Sequence, residues 1–287
     1  MRPLCTRSRI GYLARLPMRV LALVCLLAAW APVGGCDERA SVDAAPQHAP
    51  ADGFRAAGEL RDGRREGPWQ WSTPEGTVVE AGAYANGLRE GAWKRYDSRG
   101  RLVEETTYAR GERSGPARLY HPGGAVLAEL VYAADRLEGE QLGRHANGAP
   151  ESRGPCVRGL RDGTWTFFHE SGAKLEEGAY RTGMREGEWR GWDAAGNPTQ
   201  RGAYELDRES GPWTYYHANG AVAVAGEFER GARSGLWVTN DPNGHRLAEG
   251  WFERGLAHGA YRMWDASGTL VEEGRMENGV KTQVRQP

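Results

Sequence analysis

The sequence predicts an all-β protein, an elongated sheet or solenoid of antiparallel β-hairpin repeats with a 24-residue period. Glycine accounts for 41 of the 287 residues, and it recurs at a constant spacing of 24 residues from Gly67 to Gly259. Tryptophan occurs 11 times, and six of its copies keep the same period. Only 39% of the residues are hydrophobic, which excludes a large aliphatic core but suits a thin sheet that buries rings over small residues.

Each repeat unit is numbered from its first glycine, so unit one begins at Gly67 and unit nine at Gly259. Position 10 is glycine in all nine units, and position 3 is tryptophan in six of them. Position 18 is aromatic in seven units, while positions 16 and 21 are mostly glycine. The pattern predicts nine units across residues 67–282, a half unit at residues 58–66 and a tail at residues 283–287.

Each unit is predicted to hold two strands and two turns. The first strand carries the tryptophan and leads to a turn that ends at the position-10 glycine. The second strand covers positions 11–18, and its turn contains the position-21 glycine, because glycine supplies the positive φ that hairpin turns need. A helix is disfavoured by so much glycine.

Strand pairing can also be predicted from the template. With a six-residue second turn at positions 19–24, Tyr84 should lie opposite Gly91 and Trp93 opposite Gly82, so that each ring covers a glycine. Positions 3 and 6 have opposite parity. Either the first strand contains a bulge, or position 6 already belongs to the turn.

The N-terminal region has the pattern of a secretory signal. Residues 1–35 predict a signal peptide, and Met18 is an alternative start that makes the signal more compact. The stretch VGGC resembles the lipobox of bacterial lipoproteins, which predicts lipid attachment at Cys36; a plain signal peptide or an uncleaved anchor are the alternatives. Residues 36–57 predict a flexible tether. We therefore expect a lipid-anchored protein of the bacterial cell envelope, in either membrane, with its body in the periplasm or outside the cell.

Two stretches of the chain resemble a known repeat family. NGLREGAWKRYDSRGRLVEE (residues 86–105) and TGMREGEWRGWDAAGNPTQRGAY (residues 182–204) look like MORN-variant repeats, the second MORN type. Such repeats occur in many bacterial proteins, some of which are labelled as antitoxin components of toxin–antitoxin systems. The resemblance covers residues 58–282. It implies a β-hairpin repeat fold with a binding or scaffold role and no catalytic residues, and the lipobox argues against a cytosolic antitoxin.

Basic residues recur at position 23 and are candidates for an interaction site. This row could hold phosphate or carboxylate groups. The alternative is a solvated loop of alternating charge, since an acid such as Glu90 often follows, and exposed ion pairs contribute little. The members of the row that we select are Arg89, Arg113, Arg161, Arg185 and Arg233.

Two further sets of side chains have competing interpretations. The tryptophan and tyrosine rows form either the core or a stacking face for glycan or peptide. Position 7 is histidine or aspartate in eight units and is expected to start a turn. A metal site is disfavoured there because equivalent positions lie about 10 Å apart, too far to converge on one ion.

Unit four, residues 139–162, departs from the template. Gln141 and Arg144 replace aromatic residues, Cys156 replaces the tyrosine of position 18, and two prolines interrupt the second strand. Proline removes a hydrogen-bond donor from a sheet. The unit is interpreted either as drift or as a hinge or partner site between units one to three and units five to nine.

The sequence favours binding over catalysis. No Ser-His-Asp grouping, zinc-ligand spacing or phosphate loop stands out, so we expect no enzyme activity and no cofactor or metal. A formal net charge of −1 makes nucleic acid an unsuitable partner. The leading expectation is a scaffold that binds an unknown protein in the cell envelope and contacts the membrane through its lipid. A module for glycans or lipid head groups is the alternative, and an antitoxin-like or immunity-like neutralising protein is a weaker one.

Overall fold

The computed structural model describes residues 53–286, which form strands and turns. The predicted signal peptide, the alternative start at Met18, the lipid site at Cys36 and most of the tether lie outside these residues. Among residues 53–286 there is no helix long and apolar enough to cross a membrane.

The described residues form one 22-stranded sheet in which the paired strands are antiparallel, which confirms the predicted fold class. The strands are β1 (Arg55–Arg61), β2 (Arg64–Ser72), β3 (Val78–Ala85), β4 (Leu88–Tyr96), β5 (Leu102–Ala109), β6 (Glu112–Tyr120), β7 (Val126–Ala133), β8 (Arg136–Leu137), β9 (Gly139–Arg144), β10 (Pro150–Val157), β11 (Leu160–Arg161), β12 (Gly163–Phe168), β13 (Lys174–Arg181), β14 (Met184–Trp192), β15 (Pro198–Glu205), β16 (Arg208–Tyr216), β17 (Val222–Glu229), β18 (Ala232–Asn240), β19 (Arg246–Glu253), β20 (Leu256–Trp264), β21 (Leu270–Glu277) and β22 (Val280–Arg285).

Each of the nine units supplies two strands, as the template predicts. The first strands of units four and five are each divided in two, as β8 with β9 and β11 with β12. β1 begins at Arg55, inside the predicted tether, and β22 ends at Arg285, inside the predicted tail.

The second turn of each unit is shorter than predicted. Asn86 and Gly87 form a two-residue turn with φ of 52° and 86°, the positive values that a type I′ hairpin requires. As a result Tyr84 pairs with Arg89, not with Gly91. The prediction of a six-residue loop, with Tyr84 opposite Gly91, is therefore wrong.

A bulge after this turn restores the register. Ala81 pairs with Lys94, but Ala83 pairs with Glu90, so the β4 side holds extra residues that include Gly91. Gly91 has a φ of 70°, and the glycine at position 1 has a positive φ in all nine units. The 24-residue glycine period therefore marks a bulge that needs left-handed backbone.

A second bulge settles the parity of positions 3 and 6. In the β4–β5 pair the register shifts between Arg95 and Tyr96, which are positions 5 and 6. Position 6 remains in the strand, so the bulge is the correct alternative.

The sheet has two chemically different faces. In β4 the side chain of Trp93 is 2% exposed, whereas its neighbours Ala92 and Lys94 are exposed. We call the side that carries positions 3, 14, 16, 18 and 23 the ring face. The opposite side, with positions 2, 4, 15 and 17, is the outer face.

Candidate functional site

The core of the ring face is built from tryptophan over glycine. The indole of Trp93 lies on Gly82 of the preceding strand so closely that a Cβ added to Gly82 would overlap the ring. The indole Nε1 of Trp93 donates a hydrogen bond of 3.0 Å to the carbonyl oxygen of Ala83. The predicted contact between Trp93 and Gly82 is confirmed.

The same arrangement recurs wherever position 3 is tryptophan. In each case the Nε1 donates to the carbonyl of position 17 in the preceding strand, over 2.8–3.1 Å. The pairs are Gly58 with Trp69, Gly82 with Trp93, Gly154 with Trp165, Gly178 with Trp189, Gly202 with Trp213 and Gly226 with Trp237. Each ring therefore needs a neighbour without a side chain.

The rings also pack on one another, in two separate ladders. The first runs Trp69, Tyr84, Trp93, Tyr108 with edge-to-face contacts and centroid distances of 5.0–6.3 Å. The second holds eight alternating rings from Trp165 to Phe252. Such pairs contribute about 0.5–1.5 kcal/mol beyond area burial. Most of these rings are buried, so they form the core and not a stacking face for a ligand.

The arginine row packs on the ring ladders and is not a solvated loop. The Arg89 guanidinium lies 4.1 Å from the centroid of the Trp93 ring, and Arg185 lies 3.8 Å from that of Tyr204. Arg89 is only 8% exposed and Arg113 7%. Arg161 and Arg233 are half-buried in the same way, over Trp165 and Trp237. The solvated-loop interpretation is wrong because these side chains complete the ring-face core through cation–π contacts.

The acids that follow the arginine row are also occupied. The Glu90 carboxylate accepts a hydrogen bond of 2.8 Å from the backbone N–H of Arg110, in the next turn. Glu66, Asp162 and Glu186 likewise accept hydrogen bonds from backbone N–H groups in the turn of the next unit, those of Asn86, Thr182 and Leu206. These acids connect successive turns, which explains why an acid follows the basic residue.

Several basic residues of the row are neutralised by a carboxylate of the chain. Arg89 pairs with Glu80 at 2.9 Å. Burial raises the pKa of the Glu80 carboxyl, and attraction to Arg89 offsets only part of that effect. The other carboxylate pairs are Arg113 with Asp135 at 3.2 Å, Arg185 with Asp207 at 3.0 Å and Lys281 with Glu272. Arg161 instead donates to the Tyr180 hydroxyl, over 3.2 Å.

The side chains at position 7 form hydrogen bonds with backbone groups at the turns. The Asp97 carboxylate accepts hydrogen bonds from the backbone N–H groups of Arg99 and Arg101. His121 contacts the carbonyl oxygen of Arg144 in the next unit through its Nε2, at 3.1 Å. Within residues 53–286 no three His, Cys, Asp or Glu side chains come together as a metal site would require.

Units three and four interrupt the ring ladders without interrupting the sheet. Ala117 and Gln141 occupy position 3, and the position-16 residues before them are Thr106 and Leu130, not glycine. Gln141 is buried, and its amide donates to the carbonyls of Gly139, Glu138 and Val131 at 2.9, 3.2 and 3.5 Å. The Val131 carbonyl is at position 17, so the glutamine bonds the same backbone group that a tryptophan would.

The outer face is polar and open, with apolar side chains between its charges. Its exposed apolar residues include Val131, Leu236 and Trp251, and Trp251 is 51% exposed. The exposure of Trp251 was not predicted from the sequence, although position 17 shares its parity, and therefore its face, with position 15.

A groove of 560 Å³ occupies the outer face at units three and four. Its walls include Pro116, Val131 and Leu142, together with Glu140 and Arg153. Neither charged side chain has an ion pair or side-chain hydrogen bond within the described part of the chain. The groove therefore offers an apolar floor between a free acid and a free base.

These features define a hairpin-repeat protein whose conspicuous residues are used mainly by the fold. Residues 89–109 match the family model described as MORN repeat variant. The match supports the resemblance noted from the sequence, and MORN repeats are generally protein-binding or lipid-binding modules.

Curated proteins and solved structures give no further indication of the protein's class. A search of curated proteins gave no significant match. The chain has 11% identity to the crystal structure of TcdB2-TccC3-Cdc42, covering 72% of this chain and 14% of that chain with a TM-score of 0.16. For TcdB2-TccC3 the identity is 10%, the coverage 77% and 17%, and the TM-score 0.16. The chain thus spans less than a fifth of those chains, and such low similarity supports no functional argument.

Proposed function

We propose that the protein is a non-enzymatic, lipid-anchored scaffold that binds a protein partner in the bacterial cell envelope through its outer face. The outer-face groove at units three and four is the observation that carries this proposal. It combines exposed apolar surface with Glu140 and Arg153, which have no partner among residues 53–286. A protein segment with an apolar side chain between charges would complement it.

The aromatic rows do not favour the glycan alternative, because they are core. Neutralisation of a toxin has no structural observation in its favour and remains a prediction from the resemblance alone. The protein-binding proposal therefore stands first.

The partner can be tested by crosslinking and pull-down of the membrane-anchored protein. We expect Arg153→Glu to reduce capture of one defined protein, because it reverses the charge of the groove wall. Lys94→Glu is the matched control, since Lys94 lies on the same face in unit two, outside the groove. Equal capture by both variants, or loss in both, would contradict the groove as the binding site.

Lipid attachment is tested separately by palmitate labelling in cells. The proposal expects label in the unaltered chain and none in Cys36→Ala. Unchanged labelling of Cys36→Ala would remove the lipid anchor from the proposal and leave the groove untouched.

A further inference from the structure

Arg233 differs from the other basic residues of its row because its side chain has neither a carboxylate nor a hydroxyl as a hydrogen-bond partner within residues 53–286. Its guanidinium lies 4.3 Å from the Trp237 ring centroid and 5.4 Å from that of Phe252, and the side chain is half-buried. Within residues 53–286 its side chain makes neither an ion pair nor a hydrogen bond. Five N–H donors in a partly desolvated position without an acceptor are costly to maintain.

The chain itself shows what fits beside such an arginine. Glu80, at position 14 of its own unit, supplies a carboxylate to Arg89. Asp207, at position 21 of the following unit, supplies one to Arg185 from a different direction. Both carboxylates meet a guanidinium that lies on rings of the ladder.

At Arg233 both of these sources are missing. Position 14 is Val224, and position 21 of the next unit is Gly255. Position 18 of the next unit is Phe252. Arg233 therefore also lacks the kind of tyrosine hydroxyl that Tyr180 offers to Arg161. The acid at position 23 of the preceding unit, Glu209, has no ion pair with Arg233.

The pKa shifts of Arg233 and Arg89 differ in the direction that these partners predict. Burial lowers the pKa of Arg233, and the nearby Tyr215 opposes this effect without outweighing it. Burial also acts to lower the pKa of Arg89, but attraction to Glu80 and to neighbouring tyrosines outweighs it and the pKa is raised.

We propose that Arg233, framed by Trp237 and Phe252, is a binding site for a carboxylate from outside the chain. The planar guanidinium binds a planar carboxylate through parallel N–H donors. The rings fix the guanidinium in place before the ligand arrives, so little side-chain entropy remains to be lost. This site lies on the ring face, so it is independent of the outer-face groove.

The test uses the full chain labelled with ¹⁵N-arginine and titrated with sodium acetate against sodium chloride of equal ionic strength. Loss of one Nε–Hε resonance in Arg233→Lys identifies the signal. We expect that signal to move saturably with acetate, while the Arg185 signal, paired with Asp207, stays in place. No movement, or an equal movement with chloride, would overturn the proposal.

Two variants introduce into the site the carboxylates that the chain uses at Arg89 and Arg185. Val224→Glu copies Glu80, and Gly255→Asp copies Asp207, whose φ of 65° shows that aspartate is accommodated at this turn position. Each should weaken the affinity for acetate roughly tenfold, because the introduced carboxylate then pairs with the Arg233 guanidinium. An undiminished response in both folded variants would place the acetate elsewhere and contradict the proposal.

Three further ligands define the chemistry. Inorganic phosphate also fits the fork of a guanidinium, so it should compete with acetate for the same signal, and an absence of competition would place the acetate elsewhere. An aspartate-containing peptide that outcompetes acetate would identify a protein as the source, and free glutamate that outcompetes it would identify a small molecule. Loss of partner capture in Arg153→Glu does not bear on these titrations, so the two proposals can fail separately.

Discussion

Two kinds of junction between repeat units solve the same packing problem in different ways. At six junctions a glycine at position 16 meets a tryptophan, as Gly202 meets Trp213. At two others Thr106 meets Ala117 and Leu130 meets Gln141. Thr106 and Ala117 pair directly across β5 and β6, and both are buried. Where the tryptophan of one strand is replaced by a smaller residue, the glycine of the neighbouring strand is thus replaced by a larger one.

The comparison shows what the position-16 glycine is for. It makes room for a ring, and before units three and four, where the ring is absent, the glycine is absent too. Unit four is consequently more than drift, since Gln141 also keeps the hydrogen bond to the position-17 carbonyl. What these units lose is the aromatic contact, so the ladders end at Tyr108 and restart at Trp165.

The largest effect is expected when a side chain is added beneath a ring. Gly202→Thr introduces a Cβ that overlaps the Trp213 indole. We expect the free energy of unfolding to fall by about 3 kcal/mol or more, at the upper end of over-packing costs. Urea denaturation measures it, and a loss below about 0.5 kcal/mol would contradict the account.

The second prediction transplants the threonine–alanine junction. Trp213→Ala alone should cost about 3–5 kcal/mol, because it leaves a cavity in the core. Adding Gly202→Thr to Trp213→Ala should cost less than about 1 kcal/mol further, since the clash is gone. A double-mutant cycle measures the coupling, and simple additivity of the two changes would show that the sites are independent.

The third prediction concerns unit four. Gln141→Ala removes a buried amide that bonds several backbone carbonyls, and we expect a loss of about 1–3 kcal/mol. The matched control is Glu140→Ala, which removes an exposed neighbour and should change stability by less than about 0.5 kcal/mol. If the two variants unfold at the same urea concentration, unit four is drift after all.

The smallest effect is a pH dependence within the regular units. Burial raises the pKa of Glu176, whereas a hydrogen bond from Lys174 lowers that of its neighbour Glu177. Glu176→Gln should therefore stabilise the fold at neutral pH, by less than about 1 kcal/mol. The gain should vanish below the carboxyl pKa of the unfolded chain, where both states are protonated.

Glu177→Gln is the control, with the opposite sign. The lowered pKa of Glu177 contributes stability above the unfolded pKa, and this is lost as the pH falls through the folded value. Thermal melts from pH 3 to pH 8 measure both variants. Parallel pH profiles for the two would refute the assignment.

The sequence predicts much of this architecture because a repeat shows each constraint nine times. Period, hairpins and the contact of Trp93 with Gly82 follow from spacing and turn chemistry. The two-residue turn was missed because the position-1 glycine was counted as strand, although it belongs to a bulge.

The packing of the arginine row on the rings was missed for a different reason. Nothing in a charge pattern distinguishes an arginine that lies on a ring from one in solvent, because that depends on where the bulge directs the side chain. The exchange of glycine for Thr106 beside Ala117 is visible in the sequence, but only once the strand register is known.

The most direct test of ring-over-glycine packing is the chemical shift of the glycine Hα protons in the full chain. A ring this close shifts protons beneath its face strongly upfield. The account predicts six such glycines, at residues 58, 82, 154, 178, 202 and 226, each with a nuclear Overhauser effect to the indole of the next unit's tryptophan. Ordinary Hα shifts at these glycines, or contacts to a different ring, would contradict it.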